Sequence, residues 1–302
     1  MPVVAVNAIA DQAVPEDAAG FARHLAALPG NAPVMILLHG YGYSPSRAKA
    51  DPHRYIFSLS PDLHTHSWPR RLGFGAAATP AQGLCVAFGW EAFGRLGRAY
   101  HEAGRAGVAL ARLIRHIRAN HPGPVHLIGH SFGGRVALAA LPHLGAEDVN
   151  RLVLMAGAEL CEVAKAALHS PAGRGAEVLN VISRENDLFD FALERFLRPL
   201  SPGARVLGSG LDLPNVVTLH IDHAGHRQAL RGIGFATDAK THLVCHWSAY
   251  TRPGLFPFYR EFLRSPNRLP LPFLRETLSE AASPRWSGLR PIYAALRPLA
   301  AG

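Results

Sequence analysis

Short apolar runs alternate along the chain with longer segments in which apolar residues recur at helical spacing. The first run, residues 34–38, contains five apolar residues and ends at His39-Gly40. Five further runs have the same character: residues 84–88, 125–128, 151–155, 178–182 and 216–221. Unbroken apolar runs are typical of parallel strands buried on both faces, and the gaps between them leave room for crossover helices. The pattern predicts an α/β fold with a mostly parallel sheet covered by helices on both faces.

The segments between these runs predict the remaining elements. Helices are expected at residues 100–119, 132–141 and 257–263. Only residues 3–9 resemble a strand before residue 34, so we expect reduced N-terminal edge strands. Residues 43–83 are rich in Pro, His and Arg and predict a long, lid-like loop, whereas residues 265–302 predict a loosely packed Pro- and Arg-rich tail. The whole chain, residues 1–302, is interpreted as a single domain.

Composition narrows the class of protein. Hydrophobic residues make up 48% of the 302 and charged residues 18%, which excludes a disordered chain. No apolar run approaches the ~20 residues that span a bilayer. The first 14 residues contain no basic side chain, so we expect a cytoplasmic protein. Three scattered cysteines, Cys85, Cys161 and Cys245, predict buried thiols rather than disulfides or a zinc ribbon.

The excess of basic over acidic residues does not by itself indicate a binding partner. Lys and Arg number 31 against 22 acidic residues, giving a net charge of +9. The basic residues are spread along the chain without a block of like charge, which favours solvated faces and carboxylate partners over a nucleic-acid surface. His220, His223 and His226 lack the spacing of a metal-binding motif such as HExxH, so neither a metal nor another cofactor is predicted.

The strongest chemical signal is Gly129-His130-Ser131-Phe132-Gly133. A predicted strand precedes this G-x-S-x-G pattern and a predicted helix follows it, as a nucleophile elbow requires. The sharp turn presents a serine hydroxyl beyond the sheet, and small flanking residues are needed where the backbones crowd. Ser131 is therefore the predicted nucleophile.

A serine nucleophile needs amide donors for the oxyanion of its tetrahedral intermediate. One predicted donor is the backbone amide of Phe132, directly after the nucleophile. The other is the amide of Tyr41, in the loop after the strand that ends at Leu38. His39 is interpreted as a residue that holds this loop.

In enzymes whose serine lies on a nucleophile elbow, the acid comes after the serine along the chain and the base comes after the acid. Asp187 comes just after the strand at 178–182 and is the predicted acid, with Asp190, Glu185 and then Asp222 as alternatives. His246 precedes the last predicted helix and is the predicted base. His226 is its main rival.

Four segments of the chain resemble the α/β-hydrolase superfamily and, more narrowly, uncharacterised bacterial hydrolases related to the DUF900 group. The similarity rests on residues 37–41, 86–94, 128–134 and 246–248, including Trp90 and Gly94 near Tyr100. It implies a triad of Ser131, Asp187 and His246, but no particular substrate.

The leading hypothesis is a serine hydrolase that cleaves an ester, including a lipid-like one, through an acyl-enzyme. The alternatives are an acyltransferase on the same triad and a non-catalytic binding protein with this fold. Four arginines of the long loop either attract an anionic substrate or only solvate the loop: Arg47, Arg54, Arg70 and Arg71. A nucleic-acid-binding protein is the least favoured alternative.

Overall fold

A single eight-stranded sheet runs through the computed structural model, which describes residues 3–60, 66–75, 79, 82–198, 201–239, 242–279 and 283–287. The strands, in chain order, are β1 (Val3–Ile9), β2 (Gln12–Pro15), β3 (Val34–Leu38), β4 (Leu84–Gly89), β5 (Val125–His130), β6 (Arg151–Met155), β7 (Glu177–Ile182) and β8 (Val216–His220). Their order across the sheet is β2-β1-β4-β3-β5-β6-β7-β8. All neighbouring pairs are parallel except β1 and β2. The predicted α/β-hydrolase architecture is confirmed.

Helices cover both faces of this sheet. They are α1 (Ala18–Ala26), α2 (Trp68–Arg71), α3 (Leu96–Asn120), α4 (Phe132–Ala140), α5 (Cys161–Leu168), α6 (Pro171–Gly175), α7 (Asp187–Leu197), α8 (Ala224–Gly232), α9 (Ser248–Thr251), α10 (Leu255–Arg264) and α11 (Leu271–Thr277). Alternate residues of β3 enter different apolar clusters: Val34, Ile36 and Leu38 join the cluster with α3 and α4, whereas Met35 and Leu37 join the one with α10. This two-residue alternation puts a core on each face and explains the uninterrupted apolar runs.

The N-terminal edge contains one strand more than the pattern predicted. β2 has only four residues and alternates between exposed and half-buried positions, so it leaves no apolar run in the sequence. It pairs antiparallel with β1, for example Asn7 with Val14. The reduced edge itself is confirmed, because β2 is short and outermost in the sheet.

The segment after residue 265 is packed more firmly than predicted. α11 buries Leu271 and Leu274, and Arg275 donates hydrogen bonds to the carbonyl oxygens of Leu213 and Val216, beside β8. The prediction of a loose tail is therefore wrong for residues 271–277. Residues 280–282 and 288–302 of the predicted tail lie outside the described residues.

The long loop at 43–83 also contributes to the core. Its helix α2 begins with Trp68, which is fully buried and packs against Phe57, with 5.6 Å between ring centroids. Residues 61–65, 76–78 and 80–81 of this loop lie outside the described residues. A lid role for the segment stays a prediction.

Candidate active site

The turn between β5 and α4 is a strained elbow centred on Ser131. Its φ of 55° and ψ of −123° are rarely adopted by a residue with a side chain, and such strain clusters at functional sites. Two glycines make the turn sterically feasible. A Cβ on Gly129 would lie 2.6 Å from the carbonyl oxygen of Gly133, and one on Gly133 would overlap that of Leu38. The flanking glycines of the sequence pattern are thus required by close backbone contacts.

Neighbouring strands hold the elbow in place. The amide of Ser131 donates to the carbonyl oxygen of Met155 over 3.0 Å, and the amide of Ala158 donates to the carbonyl oxygen of Ser131 over 2.9 Å. Met155 ends β6, the strand beside β5. The position of Ser131 is therefore fixed by the parallel pairing that the apolar runs dictate.

His246 lies just before α9 and shares a cavity with Ser131. Its imidazole packs between His130 and Phe189, with each ring centroid 4.6 Å away, and Phe189 is stacked on it. Burial lowers its pKa well below the usual range, so the ring is neutral at pH 7. A neutral imidazole is the form that a general base needs.

Asn186 is the partner of this imidazole. Nδ1 of His246 lies 2.6 Å from Oδ1 of Asn186. An amide oxygen only accepts hydrogen bonds, so Nδ1 must carry the proton, and Nε2 is left with the lone pair. The asparagine therefore selects the tautomer in which Nε2 acts as the proton acceptor.

The structure does not bring the predicted acid, Asp187, to His246. The Asp187 carboxylate accepts a hydrogen bond from the amide of Trp286 over 2.6 Å and lies 3.1 Å from the guanidinium of Arg184. Residues 184–186 form a 3-10 turn that continues into α7, so successive side chains point about 100° apart. Asn186 consequently reaches His246 while Asp187 points away. The sequence prediction considers only carboxylates and so omits Asn186, although its place in the turn that follows β7 is a signal for it.

Two of the alternative acids have other partners. Glu185 lies 2.9 Å from the guanidinium of Arg252, deep in the core. Asp222 lies 2.6 Å from the ring of His220. Burial opposes the charge of Asp222, but hydrogen bonds from His220 and the Arg184 amide outweigh it, and its pKa falls to about 2. Neither side chain lines the cavity that contains Ser131.

Asp190, the first alternative acid, contacts Asn186 rather than the imidazole. Its Oδ1 accepts a hydrogen bond from Nδ2 of Asn186 over 2.8 Å, and it lines the same cavity as Ser131. The rival base, His226, lies elsewhere: its Nδ1 accepts a hydrogen bond from the amide of His220, and it lines a different cavity.

The loop after β3 lies directly against the elbow. A Cβ on Gly40 would come within 2.8 Å of the Ser131 Cβ, so only glycine allows this approach. Tyr41 follows and lines the cavity, as does Phe132. Because Phe132 is the first residue of α4, its amide has no partner within the helix. The two backbone amides predicted as oxyanion donors thus belong to residues that line the same cavity as Ser131.

His39 holds this loop in place. One ring nitrogen, Nδ1, donates to the carbonyl oxygen of Gly40 over 2.9 Å, and the other accepts from the amide of Trp90 over 3.1 Å. The ring stacks on Trp90 with 5.3 Å between centroids. Burial lowers the pKa of His39 to about 3, so it stays neutral. Its role as a structural support for the loop agrees with the sequence interpretation.

The cavity has a volume of about 300 Å³ and is largely apolar. Its apolar lining comes from the loops after β3 and β6, the starts of α3 and α4, helix α7 and the segment before α9: Tyr41, Leu96, Phe132, Ala158, Phe189, Ala192, Leu193 and Trp247. The long-loop arginines 47, 54, 70 and 71 do not line it. Arg47 instead packs on Phe93, and Arg71 donates to the carbonyl oxygen of Tyr250.

A family model described as "Alpha/beta hydrolase family" matches residues 35–299. The chain belongs to the alpha/beta hydrolase family. A crystal structure of the lin2722 gene product of Listeria innocua is similar to this alpha/beta hydrolase at 14% identity. The match covers 78% of this chain and 94% of that one, with a TM-score of 0.39. No curated protein matches the sequence.

Other features of this alpha/beta hydrolase bear on the remaining sequence predictions. The three cysteines are buried and free. Within the described parts of the chain, no group of three or more His, Cys, Asp or Glu side chains is placed to hold a metal ion. No helix among those residues is long and apolar enough to cross a membrane. Family membership supports hydrolase-type chemistry in general.

Proposed function

We propose that this protein is a serine hydrolase that cleaves esters through an acyl-enzyme, with Ser131 as nucleophile and His246 as base. Asn186 takes the position in which many such enzymes have a carboxylate. The observation that carries the proposal is one cavity lined by a serine on a strained turn and by a neutral histidine whose Nδ1 contacts Asn186. The narrower relation to the DUF900 group stays a prediction.

The proposed reaction follows the roles of these groups. Nε2 of His246 takes the proton of Ser131 Oγ as this oxygen attacks the ester carbonyl carbon. The amides of Tyr41 and Phe132 donate to the oxyanion that forms. When the intermediate collapses, the imidazolium gives its proton to the leaving alkoxide. Water then attacks the acyl-enzyme with the same proton transfers and releases the acid.

Asn186 assists this cycle when His246 becomes charged. Its Oδ1 accepts the Nδ1 proton throughout, and a hydrogen bond to a charged partner is stronger than one to a neutral partner. No hydrogen bond joins Ser131 Oγ to His246 among the described side chains, although both line the cavity. Catalytic hydrogen bonds are often long in free enzymes and tighten once substrate is bound.

The substrate class follows from the apolar surface at the cavity. Tyr41, Phe189 and Trp247 line it and still expose 46%, 37% and 53% of their surface. Other large apolar side chains near Phe189 and Trp247 in the sequence are also exposed: Leu188, Phe191, Phe196, Leu243 and Val244. An exposed apolar surface beside a cavity is typical of a site that binds an apolar ligand. The proposed substrates are therefore esters with an apolar acyl chain.

Active-site labelling tests the nucleophile. A fluorophosphonate probe reacts with activated serines, so we expect it to modify Ser131 in the native protein and not in Ser131→Ala. Ser46→Ala is the matched control, because Ser46 is exposed and does not line the cavity. Absence of labelling in the folded protein, or labelling that survives Ser131→Ala, would contradict the proposal.

A series of p-nitrophenyl esters tests the substrate class. Burying one methylene contributes about 0.8 kcal/mol, and each 1.36 kcal/mol is tenfold in rate, so kcat/KM should rise about fourfold per methylene until the cavity is filled. Trp247→Ala should reduce this dependence on chain length. A profile that is flat or falls from acetate onward would exclude an apolar acyl substrate while leaving the nucleophile untouched.

A further inference from the structure

Behind the base, a carboxylate that the proposed mechanism does not use is hydrogen-bonded to Asn186. Nδ2 of Asn186 donates to Oδ1 of Asp190 over 2.8 Å, while Oδ1 of the same amide faces His246. Asp190 is only 3% exposed. The three side chains therefore form one chain of hydrogen bonds from a buried carboxylate to the imidazole that shares the cavity with Ser131.

We propose that Asp190 is a positioning residue that sets the tautomer of His246 by fixing the orientation of the Asn186 amide. This inference rests on the proposed function, because the tautomer matters only if His246 is a base. An ionised carboxylate only accepts hydrogen bonds, so it must face the NH₂ end of the amide. The oxygen end then faces His246, which must carry its proton on Nδ1 and keep Nε2 free.

Protonation of Asp190 removes this constraint. A protonated carboxyl group can donate, so the amide can turn its oxygen toward Asp190 and its NH₂ group toward His246. Nδ1 must then accept, the proton moves to Nε2, and His246 can no longer remove the proton of Ser131. The protonation state of Asp190, behind the base, thus controls whether the base is in its active form.

The surroundings of Asp190 bring its pKa into the pH range in which the protein can be assayed. Burial raises the pKa of Asp190 to about 7; Arg285 and Arg184 act against this rise, while Asp187 and Glu194 add to it. Those four groups are the charged side chains that face Asp190, from the turn before α7, from α7 itself and from the segment at 283–287. Since burial keeps the pKa of His246 well below its usual range, the two titrations are separated.

Gly208 shows that the pocket is shaped around this carboxylate. A Cβ at that position would overlap Oδ2 of Asp190, so the backbone lies directly against the carboxylate oxygen. The Asp190 side chain therefore has little room to change its position, and the orientation of the amide is the remaining variable.

The test measures the rate of fluorophosphonate labelling against pH in the full-length chain. For the native protein we expect the rate to fall as the pH drops through the pKa of Asp190. In Asp190→Asn the carboxylate is lost while its shape is kept, so we expect the rate at pH 8 to fall about tenfold and the acid limb to move to lower pH. An unchanged rate and an unchanged acid limb in Asp190→Asn would overturn the proposal.

A double variant that exchanges the side chains of Asn186 and Asp190 distinguishes a positioning role of Asp190 from a general loss of structure. Asn186→Asp/Asp190→Asn gives His246 a carboxylate partner directly and places an amide behind it, with the same set of atoms. We expect its labelling rate at pH 8 to return to within about threefold of the native rate. Its acid limb should lie above that of Asp190→Asn, because the carboxylate now in contact with His246 raises the pKa of the ring. If the swap is no faster than Asp190→Asn, orientation of the amide is not the role of Asp190.

The tautomer can also be measured without catalysis. The ¹⁵N chemical shifts of the His246 ring, assigned by comparison with His246→Gln, should show a proton on Nδ1 in the native protein at pH 8 and a mixture of tautomers in Asp190→Asn. If Ser131 is never labelled but these shifts behave as expected, the proposed function fails and the tautomer control stands. If labelling succeeds and the tautomer is the same in both proteins, only the inference about Asp190 fails.

Discussion

Asn186 and Asp187 are neighbours in the sequence, yet only Asn186 contacts His246, the proposed base, in the structure. Asn186→Ala removes the acceptor 2.6 Å from Nδ1 of His246. A hydrogen bond to a charged group contributes about 1.5–3 kcal/mol. The ring becomes charged in the transition state, so at 1.36 kcal/mol per factor of ten the labelling rate should fall roughly 10- to 150-fold.

Asp187→Asn is the matched control. Its side chain can still accept from the amide of Trp286, and it does not face His246, so we expect a labelling rate within about threefold of native. The variant will be less stable, because Arg184 loses its carboxylate partner. Both rates should therefore be measured at a temperature at which circular dichroism shows each variant folded. A large loss in Asp187→Asn with little effect of Asn186→Ala would refute the assignment made from the structure.

Two further predictions concern the oxyanion loop and the buried histidines. Gly40→Ala should slow labelling about 100-fold or more, because a Cβ 2.8 Å from that of Ser131 displaces the loop that carries Tyr41. Gly104→Ala is the control: a Cβ there would have its nearest neighbouring atom 3.5 Å away, so this variant should be labelled at the native rate. Burial lowers the pKa of His39 and His126 to about 3 and that of His130 to about 4. Below pH 6.5 the unfolded chain binds protons that these folded histidines exclude, so stability falls as the pH drops. The raised pKa of Asp190 acts in the opposite direction. For these four groups together, the free energy of unfolding should therefore fall by about 2 kcal/mol per pH unit between pH 6 and 5. A urea midpoint that does not change from pH 7 to pH 5 would contradict this expectation.

Much of the fold follows from local sequence patterns. The strands at Val34–Leu38 and Arg151–Met155 begin and end where their apolar runs do. Each run is long enough to be buried on both faces, and that requirement is already visible in the residues themselves. The pattern does not predict β2 or α11 because each is short, and β2 in addition has no buried residue.

The sequence by itself determined the position of the strained turn at Ser131, because the strand, the two glycines and the helix are contiguous and the steric constraint is local. It also indicated His246 as a candidate base. Only the tertiary structure decided which residue faces that imidazole, because the contact joins positions 60 residues apart. The choice between Asn186 and Asp187 depends on a rotation of about 100° per residue at the start of α7. That rotation is set by which side of the helix is buried, the side where Leu193 and Leu197 join the core.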